Sequence, residues 1–204
     1  MEIKEFENQL KSDVQNIIES IIEKNLCPKI KTNGGRVGDQ ISKYLENEFF
    51  KAPNTSKIDN KEKSPQGKTK NPWDAKFDYK SNGIKITIGI DFKTIKEEQS
   101  DSNPDMGSAD KIFNENSDYD TLYMLFIVVK YTDTDNKVKF VKMSNNNYSD
   151  LFFLKDISET FRRTPTNQLQ VNVNEEAIYR TRSEFIELLK IKLEENSMMG
   201  NSIY

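Results

Sequence analysis

The chain has 204 residues, with 30 Lys or Arg against 33 Asp or Glu, so its formal net charge is −3 and its length fits one domain. It contains no histidine and a single cysteine, Cys27, which excludes Ser-His-Asp triads, Cys-His pairs, His-ligated zinc, zinc fingers and iron–sulfur sites. Any chemistry must use carboxylates, lysine, hydroxyls or an oxygen-ligated metal such as magnesium.

Residues 2–24 place Ile3, Phe6, Leu10, Val14, Ile17, Ile18, Ile21 and Ile22 at helical spacing, which predicts an amphipathic helix. Its isoleucine stripe is either core or a dimer interface. Pro28 ends it, and Asn33-Gly34-Gly35 turns into a second helical pattern: Val37, Ile41, Tyr44, Leu45, Glu48 and Phe49. Together these form an N-terminal helical region, 1–50. Residues 51–72 lack periodicity and read as a long loop with room for one short strand.

From Ala75 to Lys93 the period becomes two. Ala75, Phe77 and Tyr79, then Ile84, Ile86, Ile88, Ile90 and Phe92, alternate with polar residues. Asn82-Gly83 between the two runs is a strong hairpin signal, because a type I′ turn needs positive φ at both central positions. Residues 97–120 are acidic and loop-like, with a short helix expected around Ser108–Asn114. Leu122–Tyr131 is nearly continuously apolar, as expected of a strand covered on both faces. Asp133–Lys137 should turn into a strand over Val138–Met143, and Asn145-Asn146-Asn147 reads as a further turn. Thr181 and Glu184 form a capping box for a helix through about Glu195, with Phe185, Leu188, Leu189 and Leu193 inward and a frayed tail, Asn196–Tyr204. The expected fold is one α/β domain, a mixed β-sheet flanked by helices. No apolar run approaches the roughly 18 residues of a membrane span, and the N-terminus is not signal-like, so the expectation is a cytoplasmic protein with no membrane partner.

Acid-x-Lys tripeptides recur along the chain, among them those at Glu2, Asp59, Asp78, Asp91 and Asp135, so the tripeptide by itself discriminates nothing. Only Asp91-Phe92-Lys93 ends a long apolar strand. Alternation puts Asp91 and Lys93 on one face and Phe92 on the other. A two-residue Asn82-Gly83 turn pairs residues whose numbers sum to 165, which sets Asp74 opposite Asp91. Two carboxylates so placed repel, and a bound divalent cation offsets the repulsion. Asp78, opposite Thr87, is the fallback if the turn is longer. The alternative is a solvated hairpin whose charges only pair with one another.

Pro72-Trp73-Asp74, a hairpin, then Asp91-Phe92-Lys93 resembles the active-site signature of the PD-(D/E)xK nuclease superfamily, most closely the type II restriction endonucleases. Trp73 between proline and aspartate is a departure from the pattern. Gly34-Gly35-Arg36-Val37-Gly38 opening a helix also resembles the mismatch-repair nicking branch. There a helix glutamate assists the metal, but Ser42 stands at the matching position, with Glu46 and Glu48 as substitutes.

The resemblance implies a restriction-endonuclease-like core in which Asp74, Asp91 and the backbone carbonyl of Phe92 hold Mg²⁺, with Mn²⁺ able to substitute. Lys93 would orient the attacking water. It further implies cleavage of double-stranded DNA at a specific sequence with 5′-phosphate products, a homodimer, and functional association with a cognate DNA methyltransferase. On this reading 72–131 is the catalytic core, and 132–204 a C-terminal hairpin, loop and helix suited to DNA recognition.

The charge distribution is uneven. Residues 51–80 carry eight lysines against four acids, and residues 94–120 two lysines against eight acids. Candidate DNA contacts are Arg36, Lys68, Lys70, Arg162, Arg163, Asn167, Gln168, Arg180 and Arg182, because arginine and amide side chains pair with base edges and lysines with phosphates. Two alternatives stay open: the same fold used for nicking, repair or recombination, and a noncatalytic DNA- or protein-binding module.

Overall fold

The computed structural model describes residues 3–30, 36–64, 73–98, 105–108, 122–135, 137–158, 162–164, 168–171 and 175–200. The predicted N-terminal helices are α1 (Ile3–Lys24) and α2 (Val37–Lys51). Phe6, Leu10, Val14, Ile18, Ile21 and Ile22 of α1 are all buried within the chain. The isoleucine stripe is therefore core and is not available as a dimer interface; of its residues Ile3 alone is largely exposed, at 57%.

The main sheet comprises β1 (Ile58–Lys63), β2 (Ala75–Ser81), β3 (Ile84–Lys96), β5 (Leu122–Thr134), β6 (Lys137–Val141) and β7 (Ser149–Phe153). Its order is β1-β2-β3-β5-β6, with β7 also on β5. The β2–β3 hairpin has the expected register, from Ala75 opposite Ile90 to Ser81 opposite Ile84. Asn82 (φ 49°) and Gly83 (φ 79°) make the positive-φ turn that sets this register.

Strand β5 runs parallel to β3, with Asp91 beside Phe126 and Lys93 beside Val128. On its other edge β5 pairs antiparallel with β7 at Leu125–Val129 and with β6 at Lys130–Thr134. This central position explains its apolar run.

One sheet face packs α1 and α2 against Phe77, Tyr79, Ile88, Ile90, Phe92, Leu125 and Ile127. The opposite face carries a second, smaller core: Met106, Met124, Phe126, Leu154, Ile157, Leu169, Val171, Phe185 and Leu189. It lies beneath a small sheet of order β4-β9-β8, formed by β4 (Asp105–Ser108), β8 (Arg162–Arg163) and β9 (Gln168–Gln170), together with α3 (Arg182–Gly200). The architecture is α/β, a mixed sheet with helices, as in a restriction-endonuclease-like core.

Some expectations hold and others are corrected. β1 occupies the one strand allowed within the 51–72 loop. β4 lies where only a loop was expected, and Ser108 ends that strand instead of opening a helix; the remainder of that expected helix lies outside the described residues. β7 has no counterpart in the sequence reading. The final strand of the β5–β6 hairpin stops at Val141, short of Met143. Helix α3 continues through Asn196–Gly200, which was expected to fray. Its capping box forms as expected: the Glu184 N–H donates to Thr181 Oγ1 at 3.3 Å, and the Thr181 N–H donates to Glu184 Oε2 at 2.7 Å. Asn145–Asn147 lie in a turn, with Asn146 at φ 64°.

Candidate active site

Strand β2 begins at Ala75, and Asp74 sits just before it, where the hairpin ladder ends. Its backbone N–H donates to the Ile90 carbonyl at 2.8 Å. Its carboxylate in turn accepts the Phe92 N–H at Oδ2, 3.0 Å away. These two bonds fix Asp74 against β3 beside Asp91. Period two then places Asp91 and Lys93 together on the face away from α2, where Lys93 Nζ lies 2.8 Å from Asp91 Oδ2.

Asp91 is buried, at 8% exposure. Burial raises its pKa from 3.8 to about 7, against the pull of the Lys93 ammonium, while the nearby Asp74 carboxylate pushes it further up. The Lys93 ammonium also lies 5.9 Å from the centroid of the Phe126 ring. A desolvated acid, a second carboxylate and a cation thus converge where the β2–β3 ladder ends and β3 runs on beside β5.

They line a shallow cleft of about 280 Å³ with Trp73, Asp105, Met106, Gly107 and Gln168. Its walls therefore come from the main sheet and from the small sheet. Gly89 lies on the same strand face as Asp91. A Cβ there would come within 2.7 Å of Met124 Sδ and 3.2 Å of Trp73 Cβ, so glycine lets both side chains approach β3 closely at this point.

The donor set suits a hard divalent cation. Asp74 and Asp91 are oxygen ligands, and an ion would relieve the cost of ionising Asp91 next to Asp74. Among the described residues no group of three or more acidic, histidine or cysteine side chains is assembled, so no third carboxylate joins the pair. Magnesium is commonly held by one or two carboxylates with waters and phosphate oxygens completing the shell.

The other candidates separate clearly. Asp78 accepts from Thr87 Oγ1 (3.0 Å) and Asn60 Nδ2 (2.7 Å), and pairs with Lys85 (2.7 Å); the two-residue turn keeps it up the strand, away from the cleft. Glu46 is paired with Lys43 at 2.9 Å and Glu48 with Lys51 at 2.6 Å, and neither lines the cleft that holds Asp74 and Asp91. Ser42 instead faces β3, its Oγ donating to the Phe92 carbonyl at 3.0 Å.

Of the expected DNA contacts, Gln168 lines the cleft, and Arg36 is exposed at the N-terminus of α2. Arg182 lies over the Tyr123 ring, 4.0 Å from its centroid. Arg180 is corrected: it is buried, its guanidinium donating to the carbonyls of Ile157, Lys155 and Ile178, which makes it a structural residue. Arg162 and Arg163 pair through β8 with β9. Lys68, Lys70 and Asn167 lie outside the described residues. Sequence reasoning did not find Trp73, Asp105, Met106 or Gly107 as cleft residues; β4 is too short to show a period.

The mixed sheet thus carries paired carboxylates and a lysine where its central hairpin ends, and the family to which the chain is matched is that of a restriction-type nuclease. The family model of the SwaI restriction endonuclease, described as SwaI-like, matches residues 2–200, and the chain belongs to this family. Comparison with curated proteins finds no match. Among the described residues, no helix is long and apolar enough to cross a membrane.

Proposed function

We propose that the chain is a Mg²⁺-dependent endonuclease that hydrolyses double-stranded DNA at a specific sequence, leaving 5′-phosphate ends. The observation that carries the reading is the convergence of Asp74, Asp91 and Lys93 at the ladder end, with Asp91 buried and 2.8 Å from Lys93. Membership of the restriction endonuclease family supports the same class.

Asp74, Asp91 and the Phe92 carbonyl would hold the ion. When bound, it supplies charge against the scissile phosphate and acidifies water. The protein's own part is positional. Asp74 is fixed through the Phe92 N–H, so one carboxylate is presented in a set orientation. Lys93 shares its charge between Asp91 and the open cleft; there it orients the attacking water and stabilises charge building on the phosphate oxygens. Trp73 lines the cleft beside Asp74 and Asp91 and packs on the second core, which closes that side of the site.

Arg36, Lys68, Lys70, Arg162, Arg163, Asn167, Gln168 and Arg182 are the proposed DNA contacts. Gln168 has the clearest support, since β9 delivers it to the cleft that holds Asp91. Cutting both strands calls for two sites related by a two-fold axis, so the active species is a homodimer, and a methyltransferase of matching specificity would protect cognate DNA.

The test is incubation of the protein with a long, sequenced, unmethylated DNA in Mg²⁺ or in EDTA. Discrete fragments formed only with Mg²⁺, whose ends ligate without added phosphate, support the reading. Ends that ligate only after phosphorylation, or fragments formed equally in EDTA, contradict it.

A further inference from the structure

We propose that Ser42 is a positioning residue of the cation site: its hydroxyl sets the direction of the Phe92 carbonyl and so tunes how tightly a divalent cation is held. The inference rests on the reading of Asp74, Asp91 and the Phe92 carbonyl as the ligand set.

In a β-strand, the N–H and C=O of one residue point to the same neighbouring strand. Ile90 is the last residue of β3 paired with β2, so Phe92, two residues on, directs both polar groups into the space beyond the end of β2. Side chains take both. The N–H goes to the Asp74 carboxylate at 3.0 Å, and the carbonyl accepts the Ser42 hydroxyl at 3.0 Å. The backbone of Phe92 is thus held between a carboxylate of the site and a helix hydroxyl. A carbonyl oxygen has two lone pairs. The hydroxyl takes one, which leaves the other to an ion at Asp74 and Asp91.

Helix α2 is seated so that this bond keeps its geometry. Gly38 precedes Ser42 by one helical turn, and Thr94 follows Phe92 by two strand residues. The steps are about 6 Å along the helix and about 6.6 Å along the strand, so the two stay nearly matched. A Cβ at Gly38 would collide with Thr94 Oγ1, and the Tyr131 hydroxyl lies 3.9 Å from the same point. The absence of a side chain at Gly38 brings α2 close enough for a short serine side chain to reach the strand carbonyl.

A purely architectural serine would close the open end of the ladder and leave cation affinity untouched, so the two roles separate experimentally. Mn²⁺ is titrated calorimetrically into the full-length protein without DNA, for wild type, Ser42→Ala, Ser42→Thr and Asp74→Asn, with thermal unfolding in EDTA alongside. The expected result is that Asp74→Asn abolishes binding and that Ser42→Ala weakens Mn²⁺ roughly tenfold, in the range seen when a partner of a metal ligand is removed. Ser42→Thr, which keeps the hydroxyl, restores most of the affinity.

Wild-type affinity in Ser42→Ala, with Asp74→Asn inactive in binding, overturns the role of Ser42 and leaves the ligand set standing. A loss that Ser42→Thr does not recover assigns the effect to packing and also overturns it. Normal binding by Asp74→Asn, or none by wild type, overturns the ligand set itself. Should Ser42→Ala not fold, Ser42→Cys, close in size but a weak donor, is judged by the same comparison.

Discussion

The Asp91 carboxylate and the Lys93 ammonium lie 2.8 Å apart on one face of β3, although only Phe92 separates them in the chain. Alternation alone puts both side chains on one face. What makes the pair more than a surface ion pair is that Asp91 is buried and has a second carboxylate, Asp74, beside it. Lysine offsets part of that charge, and a divalent cation would offset the rest.

Asp91 therefore weakens the metal-free fold at neutral pH. Its folded pKa is raised from 3.8 to about 7, so the stability linked to its protonation is complete below about 3.8 and is lost as pH rises through about 7. Asp91→Asn never loses it. In EDTA, the thermal midpoint of Asp91→Asn relative to wild type should climb by several degrees between pH 4 and pH 8, about 1 kcal/mol being worth ~2–4 °C in a chain of this size. The same variant should not cleave DNA. A difference in midpoint that stays flat with pH would show that burial does not tax this carboxylate.

A second buried charge cluster carries no proposed chemistry and should be purely structural. Lys155 lies 3.0 Å from Glu7 of α1 and 2.7 Å from Asp156, and donates to the Arg180 carbonyl at 2.7 Å. It ties α1 to the segment that leads into α3. Burial raises the Glu7 pKa despite the lysine. Lys155→Met strands two buried acids and should cost about 3–5 kcal/mol in urea unfolding at pH 7.5. Because Glu7 can take up a proton, the cost should shrink as pH falls; an unchanged cost at pH 5 would count against this account.

Asp13 of α1 works in the opposite direction. Burial alone would raise its pKa, but hydrogen bonds from Lys57 (2.7 Å), Tyr79 (2.6 Å) and Gln9 (3.1 Å), with the Lys57 charge, hold it below 3.8. Its contribution is present above about 3.8 and lost as pH falls through the lowered folded value. Asp13→Asn should thus destabilise the protein at pH 6 and matter progressively less towards pH 2. Unfolding midpoints across that range decide it, and a larger penalty in acid than at pH 6 would reverse the sign.

Gly38 should tolerate no side chain. Overpacking of this kind costs ~1–3 kcal/mol. Gly38→Ala should destabilise the fold, and Thr94→Ala in the same chain should recover part of the loss, since Thr94 is the atom group in the way. A double-mutant cycle with no coupling between the two positions would contradict the close approach of α2 to β3.

The hairpin is legible in the sequence because two independent signals agree there: Asn82-Gly83 fixes the turn, and the alternation from Ala75 to Phe92 fixes the faces. The register then places Asp74 beside Asp91 by counting alone. Strand β5 is legible because burial on both faces leaves no room for polar residues.

The small sheet is not legible. Its strands have four, two and three residues, and they join through pairing as distant as Asp105 with Gln170. No period develops over such lengths. Arg180 reads as a DNA contact until the fold brings backbone carbonyls to its guanidinium. Ser42 is visible in the sequence only as the residue standing where a glutamate was looked for; its bond to Phe92 depends on how α2 seats on β3.

The most direct test of the catalytic reading compares wild type with Lys93→Ala on one long, unmethylated, sequenced DNA in Mg²⁺. Gel-shift binding in Ca²⁺ serves as the control that the variant still engages DNA. The account predicts discrete fragments from wild type and uncut DNA from Lys93→Ala at equal occupancy. Fragments produced at the wild-type rate by Lys93→Ala would contradict it and move the catalytic centre away from Asp74, Asp91 and Lys93.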